Sequence, residues 1–534
     1  MAKHRRKRRW GAIALISGTL VTALLIGASL TVFRVAHAPD STAASQPKAP
    51  SWRVPAAPNI ALPELPRLPG KPDKRIKNVV LLVADDLDWE LWQNVPRLKA
   101  LEAQGTTFTN YVVTDSLCCP SRTSLLRGQY VHNHRVISNT IANGGGWPMF
   151  EALSYPQDCL PNWIQRSGAN TALVGKYLNE FPTTYQSAKR HQAGWNTFIT
   201  PMSDEGVYTG FDYNLDVNGT IRRYGSRSRA FLNSVLSGYA RTFLMNQKRH
   251  QRFFLEFASY NPHTPSPVDR QHVRSHTGAM LPRNAAYNAM MTNPPAWLAG
   301  QKPLSAEQLA EQDELWGNRL RSAESIADSY AMLRRTLAKK HVLKHTLIIV
   351  TSDNGFHQAT RGLEKGKRTA YDTDTVVPLV VIGPGIQKGK VVSQMASETD
   401  LGPTIASAMR AKTPEFVDGR SLWPLLAAHQ DAHLNGWRTA ALSENLGRAL
   451  PGDPDYQAVS PPKYWALRTV HWLYVLNEDG SEELYDRNAD PYELVNIADT
   501  APHATVKQLR DQLLIMRTCS GDTCRRAASL APTQ

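Results

Sequence analysis

Two short apolar runs far apart in the chain end alike. KNVVLLVADDLDW (77–89) closes on Asp85 and Asp86, and HTLIIVTSDNGFH (345–357) closes on Asp353 and Asn354. A strand that is apolar at every position needs cover on both faces, which a parallel sheet between helices supplies. A third run, TALVGKYLNEF (171–181), is a weaker strand that ends at Lys176. The acids fall at carboxyl ends of strands, where open α/β sheets place their ligand sites. Three carboxylates and an amide are all oxygen donors. They suit a hard divalent cation, Ca²⁺ first with Mg²⁺ or Mn²⁺ as alternatives, whereas zinc would favour His or Cys. A lone acidic pair also serves as a capped turn; two strand-end clusters of one chemistry favour ligation.

The second constraint is DSLCCPSRTSLLRG (115–128), with adjacent cysteines in a chain that has five. Pro120 suits the first turn of a helix. Arg122 lies one turn after Cys118, so both share a face. Cys118 then sits near a helix N-terminus, where backbone N–H groups favour negative charge. Three readings compete: a buried structural cysteine, a redox site, and a nucleophile. A redox pair would be spaced C-x-x-C. Only a nucleophile, as an activated thiolate or something derived from one, accounts for the proline, the arginine and the acids together. A facing guanidinium points to a substrate with phosphate-like or sulfate-like charge.

Composition is that of a globular protein, with 42% hydrophobic and 20% charged residues. The net charge is +15, of which the acid-free first 34 residues carry +7, leaving +8 for the rest. That excess is compatible with a polyanionic substrate. MAKHRRKRRW and the uncharged apolar stretch behind it form either a membrane anchor or a signal sequence ending at VAHA (35–38), so the body works outside the cytoplasm. Residues 39–74, rich in Pro, Ala and Ser, read as an extended spacer holding the body off the membrane. Export permits a disulfide, and CSGDTC offers Cys519 and Cys524 as the natural pair.

Cys118-Cys119-Pro120-Ser121-Arg122 followed by Leu126-Arg127-Gly128 resembles the C-x-P-S-R-x-x-x-L-x-G signature of the type I sulfatases. The order of DD, CCPSR, GK, PHTP, SDNG and K-x-x-x-Y matches that family over almost the whole chain after the spacer. LCCPSR, YVHNHRV, GKYLNEF, SDNGFH, the TDLGPT run and the tail CSGDTC resemble the N-acetylglucosamine-6-sulfatases and related glycosaminoglycan sulfatases.

The resemblance implies that a separate formylglycine-generating enzyme oxidises Cys118 to Cα-formylglycine (3-oxoalanine), with Cys119 a bystander. The hydrated aldehyde attacks sulfur through one hydroxyl, the alcohol leaves, and the second hydroxyl expels sulfate. Asp85, Asp86, Asp353 and Asn354, with residue 118, would hold the cation, which polarises a sulfate oxygen. Arg122 would hold the nucleophile. Lys176 and Lys367, the latter set by its spacing to Tyr371, would bind sulfate, and His263 in YNPHTPSP would be the general acid. Many family members carry a histidine two residues after the lysine matched by Lys176, where this chain has Leu178. His132 is the substitute considered for the missing base, with His357 a second; the alternative is that His132 or His134 only orients its loop.

The expected architecture is the α/β, alkaline-phosphatase-like fold, with a large mixed sheet between helices, over 75–416. A smaller C-terminal α+β subdomain (417–534) should carry an antiparallel sheet from YWALRT, HWLYVLN and EELYD, then a helix over TVKQLRDQLLIMRTC. SIADSYAMLRRTLAK (325–339) should present Ile326, Tyr330, Leu333 and Leu337 as one stripe. The implied partners are a sulfated carbohydrate, the maturation enzyme and, if the leader is uncleaved, a membrane; nucleic acid is not among them. Specificity is expected in loops 183–230 and 264–325. The alternatives are a phosphonate or phosphate ester hydrolase of the same superfold and an inactive binder of sulfated glycans.

Overall fold

The computed structural model describes residues 53–182, 192–202, 206–429, 432–449, 451 and 455–531. The leader expected at 1–38 lies outside them. Among the described residues, no helix is long and apolar enough to cross a membrane.

Asn78–Asp85 and Thr346–Ser352 are strands buried at every residue. They lie side by side and parallel, Val80 opposite Ile348. Alternation explains their unbroken hydrophobicity: Val79, Leu81 and Val83 enter one core, while Val80, Leu82 and Ala84 enter the other. They are central in a ten-stranded mixed sheet. From one edge its order is Lys390–Val392, Thr106–Phe108, Leu379–Ile382, Thr346–Ser352, Asn78–Asp85, Phe253–Pro262, Asn170–Gly175, Thr197–Pro201, Tyr213–Val217 and Thr220–Tyr224. The five strands from Thr346–Ser352 to Thr197–Pro201 are mutually parallel. Antiparallel pairings flank them, at Leu379–Ile382 on one side and Tyr213–Val217 on the other.

One face is covered by the long helix Ala306–Lys339, which starts with a Ser305–Gln308 capping box. The expected stripe of Ile326, Tyr330, Leu333 and Leu337 is buried against the sheet. The other face is covered by Cys118–Arg127 and Leu401–Ala408, through Leu125, Leu126, Leu401 and Ile405. The signature helix begins at Cys118 itself and ends at Gly128, whose φ of 65° and a neighbouring Val417 methyl leave no room for a side chain.

The C-terminal sheet is antiparallel as expected, Tyr464–Thr469, Trp472–Asn477 and Glu482–Asp486, with an additional strand, Ala440–Asn445, on one edge. Helix His503–Met516 packs on it. Cys519 and Cys524 are disulfide-bonded.

The Pro-rich segment departs from a free spacer. Its described part, residues 53–74, forms no helix or strand, yet it is laid along the body. Arg526 donates to the carbonyls of Leu62 and Pro63, at 2.7 and 2.9 Å, and Val54 and Leu62 pack on the C-terminal core. Gly70 backs directly onto Trp423 and Pro424.

Candidate active site

Four neighbouring parallel strands deliver the site from their carboxyl ends. Asn78–Asp85 leads into Asp86, Thr346–Ser352 into Asp353 and Asn354, Asn170–Gly175 into Lys176, and Phe253–Pro262 into His263. Successive residues of a strand face opposite ways. Asp86 takes a left-handed φ of 65°, which breaks that alternation and turns both carboxylates to one side. The Asp86 N–H donates to Asp353 Oδ1 at 3.2 Å, tying the two strand ends together.

Cys118 closes the site from the signature helix. Ligand atoms of Asp85, Asp86, Cys118 and His263 all lie within 4.8 Å of one another. Cys118 Sγ donates to Asp85 Oδ1 at 3.4 Å and accepts from Lys367 Nζ at 3.0 Å. Lys367 also reaches Asp86 Oδ1 at 2.9 Å, and Lys176 Nζ meets Asp85 Oδ2 at 2.7 Å. Arg122 donates through Nε to Asp353 Oδ2 at 2.8 Å and through Nη1 to the Lys176 carbonyl at 3.1 Å. His263 turns Nδ1 to the Thr264 carbonyl at 2.6 Å, which leaves Nε2 facing Asp86 Oδ2 at 3.6 Å.

Burial sets the electrostatics. It would raise Asp85, but Lys176, His263, Arg122 and Lys367 hold that carboxyl well below the usual range. Burial would likewise depress the lysines. Asp85 beside Lys176, and Asp455 and Asp86 beside Lys367, keep both ammonium groups charged. Burial pushes the Cys118 thiol well up despite both lysines. The unmodified side chain is therefore a thiol; the activated thiolate expected from the helix N-terminus is not what the surroundings favour.

Two buried oxygens, Asp86 Oδ2 and Asn354 Oδ1, have no hydrogen-bond donor, and neither does Arg122 Nη2 have an acceptor. With the carboxylate oxygens of Asp85 and Asp353, which accept from Cys118, Lys176, Arg122 and backbone N–H groups, these two oxygens make an all-oxygen donor set that fits a hard divalent cation. A free guanidinium N–H beside them fits a substrate anion.

His132 is not part of this cluster. Its Nδ1 meets Glu444 at 2.9 Å and its Nε2 the Cys519 carbonyl at 3.0 Å. With both nitrogens engaged it ties the loop after the signature helix to the disulfide turn, contacts that suit the loop-orienting alternative. His134 meets Ser124 Oγ at 2.8 Å, also a structural contact. Leu178 is buried in the core and offers no proton acceptor. His357 meets Asp374 at 3.0 Å through Nδ1. Tyr371 donates to Glu483 at 2.9 Å rather than to the site.

Several residues carried no sequence signal. Asp455 reaches Lys367 at 3.3 Å from the C-terminal part of the chain, and Asn139 binds both Asp455 and the Cys119 N–H. Tyr208 packs its ring on His263, centroids 4.6 Å apart. Ser121 of the signature bonds Glu398 at 2.6 Å, which docks the helix against the 398–400 turn. A cleft of about 810 Å³ opens over Asp86, Lys367 and Asp455. Its walls come from 300–305, within a loop expected to matter, and from 362–367 and 455–459, which were not.

A buried nucleophile position, paired lysines and acidic strand ends on this sheet define an alkaline-phosphatase-like hydrolase of an anionic ester. The chain belongs to the sulfatase family: the Sulfatase model matches residues 77–411, and the model for "N-sulphoglucosamine sulphohydrolase, C-terminal" matches 364–518. It is thereby a sulfuric ester hydrolase. It is 30% identical to the N-acetylglucosamine-6-sulfatase of Homo sapiens, over 86% of this chain and 87% of that one. It is 28% identical to the "Extracellular sulfatase SULF-1 homolog" of Drosophila melanogaster, over 70% of this chain and 33% of that one. In fold it is similar to a solved structure holding its substrate, D-glucosamine-2-N,6-O-disulfate (TM-score 0.70, 19% identity, 86% of this chain and 99% of that one).

Proposed function

We propose that this protein removes sulfate from a sulfated saccharide outside the cytoplasm, with Cys118 converted to formylglycine. The observation that carries the reading is the convergence of Asp85, Asp86, Lys176, His263 and Lys367 on the Cys118 side chain. The sugar class and the location rest on the names of the relatives.

A formylglycine at 118 would supply the attacking oxygen, and a divalent cation, Ca²⁺ by donor type, would be held by Asp85, Asp86, Asp353 and Asn354 and polarise the sulfate. The chain's own groups do the rest. Lys367 Nζ holds whatever atom replaces Cys118 Sγ, and Asp85 Oδ1 accepts its proton-bearing side. Arg122 Nη2, Lys176 and Lys367 take the negative charge that grows on sulfate. His263 Nε2 protonates the departing alcohol oxygen, and the Tyr208 ring, tilted against the imidazole, supports it. Burial of these groups excludes water and strengthens each contact. The 75–416 and 417–534 division is retained as part of this proposal, with Asp455 as the C-terminal contribution to the site.

The test is peptide mass spectrometry at residue 118 of natively produced protein, combined with turnover of aryl sulfate and N-acetylglucosamine 6-sulfate. Formylglycine and sulfate release are expected, and Cys118→Ala should lose both. An intact thiol in natively produced protein, or a preference for aryl phosphate or phosphonate, refutes the proposal.

A further inference from the structure

The opposite end of the sheet carries a different kind of site. The amino ends of Asn78–Asp85, Phe253–Pro262 and Thr346–Ser352 open into two clefts of about 880 and 800 Å³ that share His341. The first is lined by Lys77, Lys248, Arg249, Lys339 and Lys340, the second by Arg75, Arg334, Lys344 and Lys388. Among the described residues no carboxylate lines the first cleft, and at the second the nearby acid is Asp73, which pairs with Arg75 at 2.6 Å. The sequence is the cause. Between Asp216 and Glu256 there is no acid, nor is there one between Asp328 and Asp353. The long helix keeps its acids in its first two-thirds and ends on Arg334, Arg335 and Lys339. Lys77, Lys248, Arg249, Lys339, Lys344 and Lys388 are all exposed.

We propose that this basic face is a second, non-catalytic site that binds a sulfated polysaccharide chain. It rests on the reading of the catalytic cleft as one for sulfated sugars. Charge alone would also suit nucleic acid or an anionic membrane, and the lining argues against both. Neither cleft exposes a Phe, Tyr or Trp ring as a platform for base stacking: Phe253 is buried, and the other rings are the imidazoles of His250, His341 and His345. Among the described residues, none of the exposed large apolar side chains lies there to insert into a bilayer. An ester-sulfated glycan needs neither; it needs spaced cations on an open groove. The central strands are eight residues long or nearly so, which puts this face about 25 Å from the catalytic carboxylates through the sheet. A sulfate bound here is out of reach of Cys118. The site therefore holds a long substrate by a distant segment, raising the effective concentration of its other sulfates at the catalytic cleft.

The experiment uses the full chain with Cys118→Ala, which keeps the probe intact, and measures heparin binding by titration at 0.15 M NaCl. Lys248→Glu/Arg249→Glu/Lys339→Glu should weaken heparin binding by about 30-fold or more and flatten its salt dependence. The same triple change in the active enzyme should leave kcat/KM on an aryl sulfate within about twofold. Saturating N-acetylglucosamine 6-sulfate should not displace heparin from the Cys118→Ala protein. Lys344→Ala/Lys388→Ala, on the second cleft, serves as an independent variant should the triple change unfold the chain. Unchanged heparin affinity in the folded variants, or displacement by the monosaccharide, overturns the proposal. Tighter binding to duplex DNA or to phosphatidylserine vesicles than to heparin overturns the choice of ligand. Loss of aryl-sulfate turnover in the parent would refute the catalytic reading and leave the binding result standing.

Discussion

His132→Gln separates a clamp from a catalytic base. Burial would lower the pKa of this imidazole, but Glu444 and the Cys519 carbonyl outweigh it and raise it from 6.5 to about 9. Both nitrogens donate in the charged form, to partners 2.9 and 3.0 Å away, so the neutral ring loses one bond. A rise of that size is worth about 3 kcal/mol, or about 2 kcal/mol once the partial exposure of the ring is discounted. A pKa raised on folding stabilises the native state in full below the unfolded value near 6.5. That contribution disappears as the pH climbs through about 9. Urea unfolding at several pH values should therefore show the wild type losing about 2 kcal/mol more than His132→Gln between pH 6 and 10. Turnover of an aryl sulfate by the folded variant should stay within about threefold. A drop in kcat of about 100-fold or more with unchanged stability would restore His132 as a base. Parallel pH dependence in the two proteins would sink the linkage argument.

Lys367→Met removes the donor to residue 118 and leaves Asp86 and Asp455 without their cation; kcat should fall by about 100- to 1000-fold, measured on an aryl sulfate. Exhaustive chelation should abolish turnover, and restoration by Ca²⁺, Mg²⁺ and Mn²⁺ in parallel will rank the ions; Asp86→Asn should resist restoration. Cys519→Ser/Cys524→Ser opens a short loop and should cost about 2 kcal/mol in urea unfolding, with kcat little changed.

The central strands were legible because burial on both faces leaves an unbroken apolar run, and the acids that end those runs are conspicuous. Phe253–Pro262, which lies beside Asn78–Asp85, ends in SYNP, whose polar residues and proline carry no strand signal; the sheet makes that stretch a strand end aimed at the site. In sequence His132 reads equally as a base or as a loop-orienting residue. A histidine near a signature invites a catalytic role, and nothing local reveals that Glu444 and the Cys519 carbonyl take both of its nitrogens. Asp455 and Tyr208 sit in segments with neither periodicity nor motif, so only their placement gives them meaning.

By itself the sequence determined the layered α/β plan, the acidic strand ends, a helix starting near Pro120 and the lysines matched to the family. Those properties are local: hydrophobic period, turn chemistry and residue type at short spacing. Only the tertiary structure decided which charges neutralise which, because pairings such as Lys176 with Asp85 and Lys367 with Asp86 join residues far apart in the chain. It also decided that Leu178 faces the core, that Glu444 and the Cys519 carbonyl engage both ring nitrogens of His132, and that lysines and arginines scattered along the chain gather at the amino ends of the central strands. Burial and distance are properties of the folded chain, and they alone fix the charge state of a site.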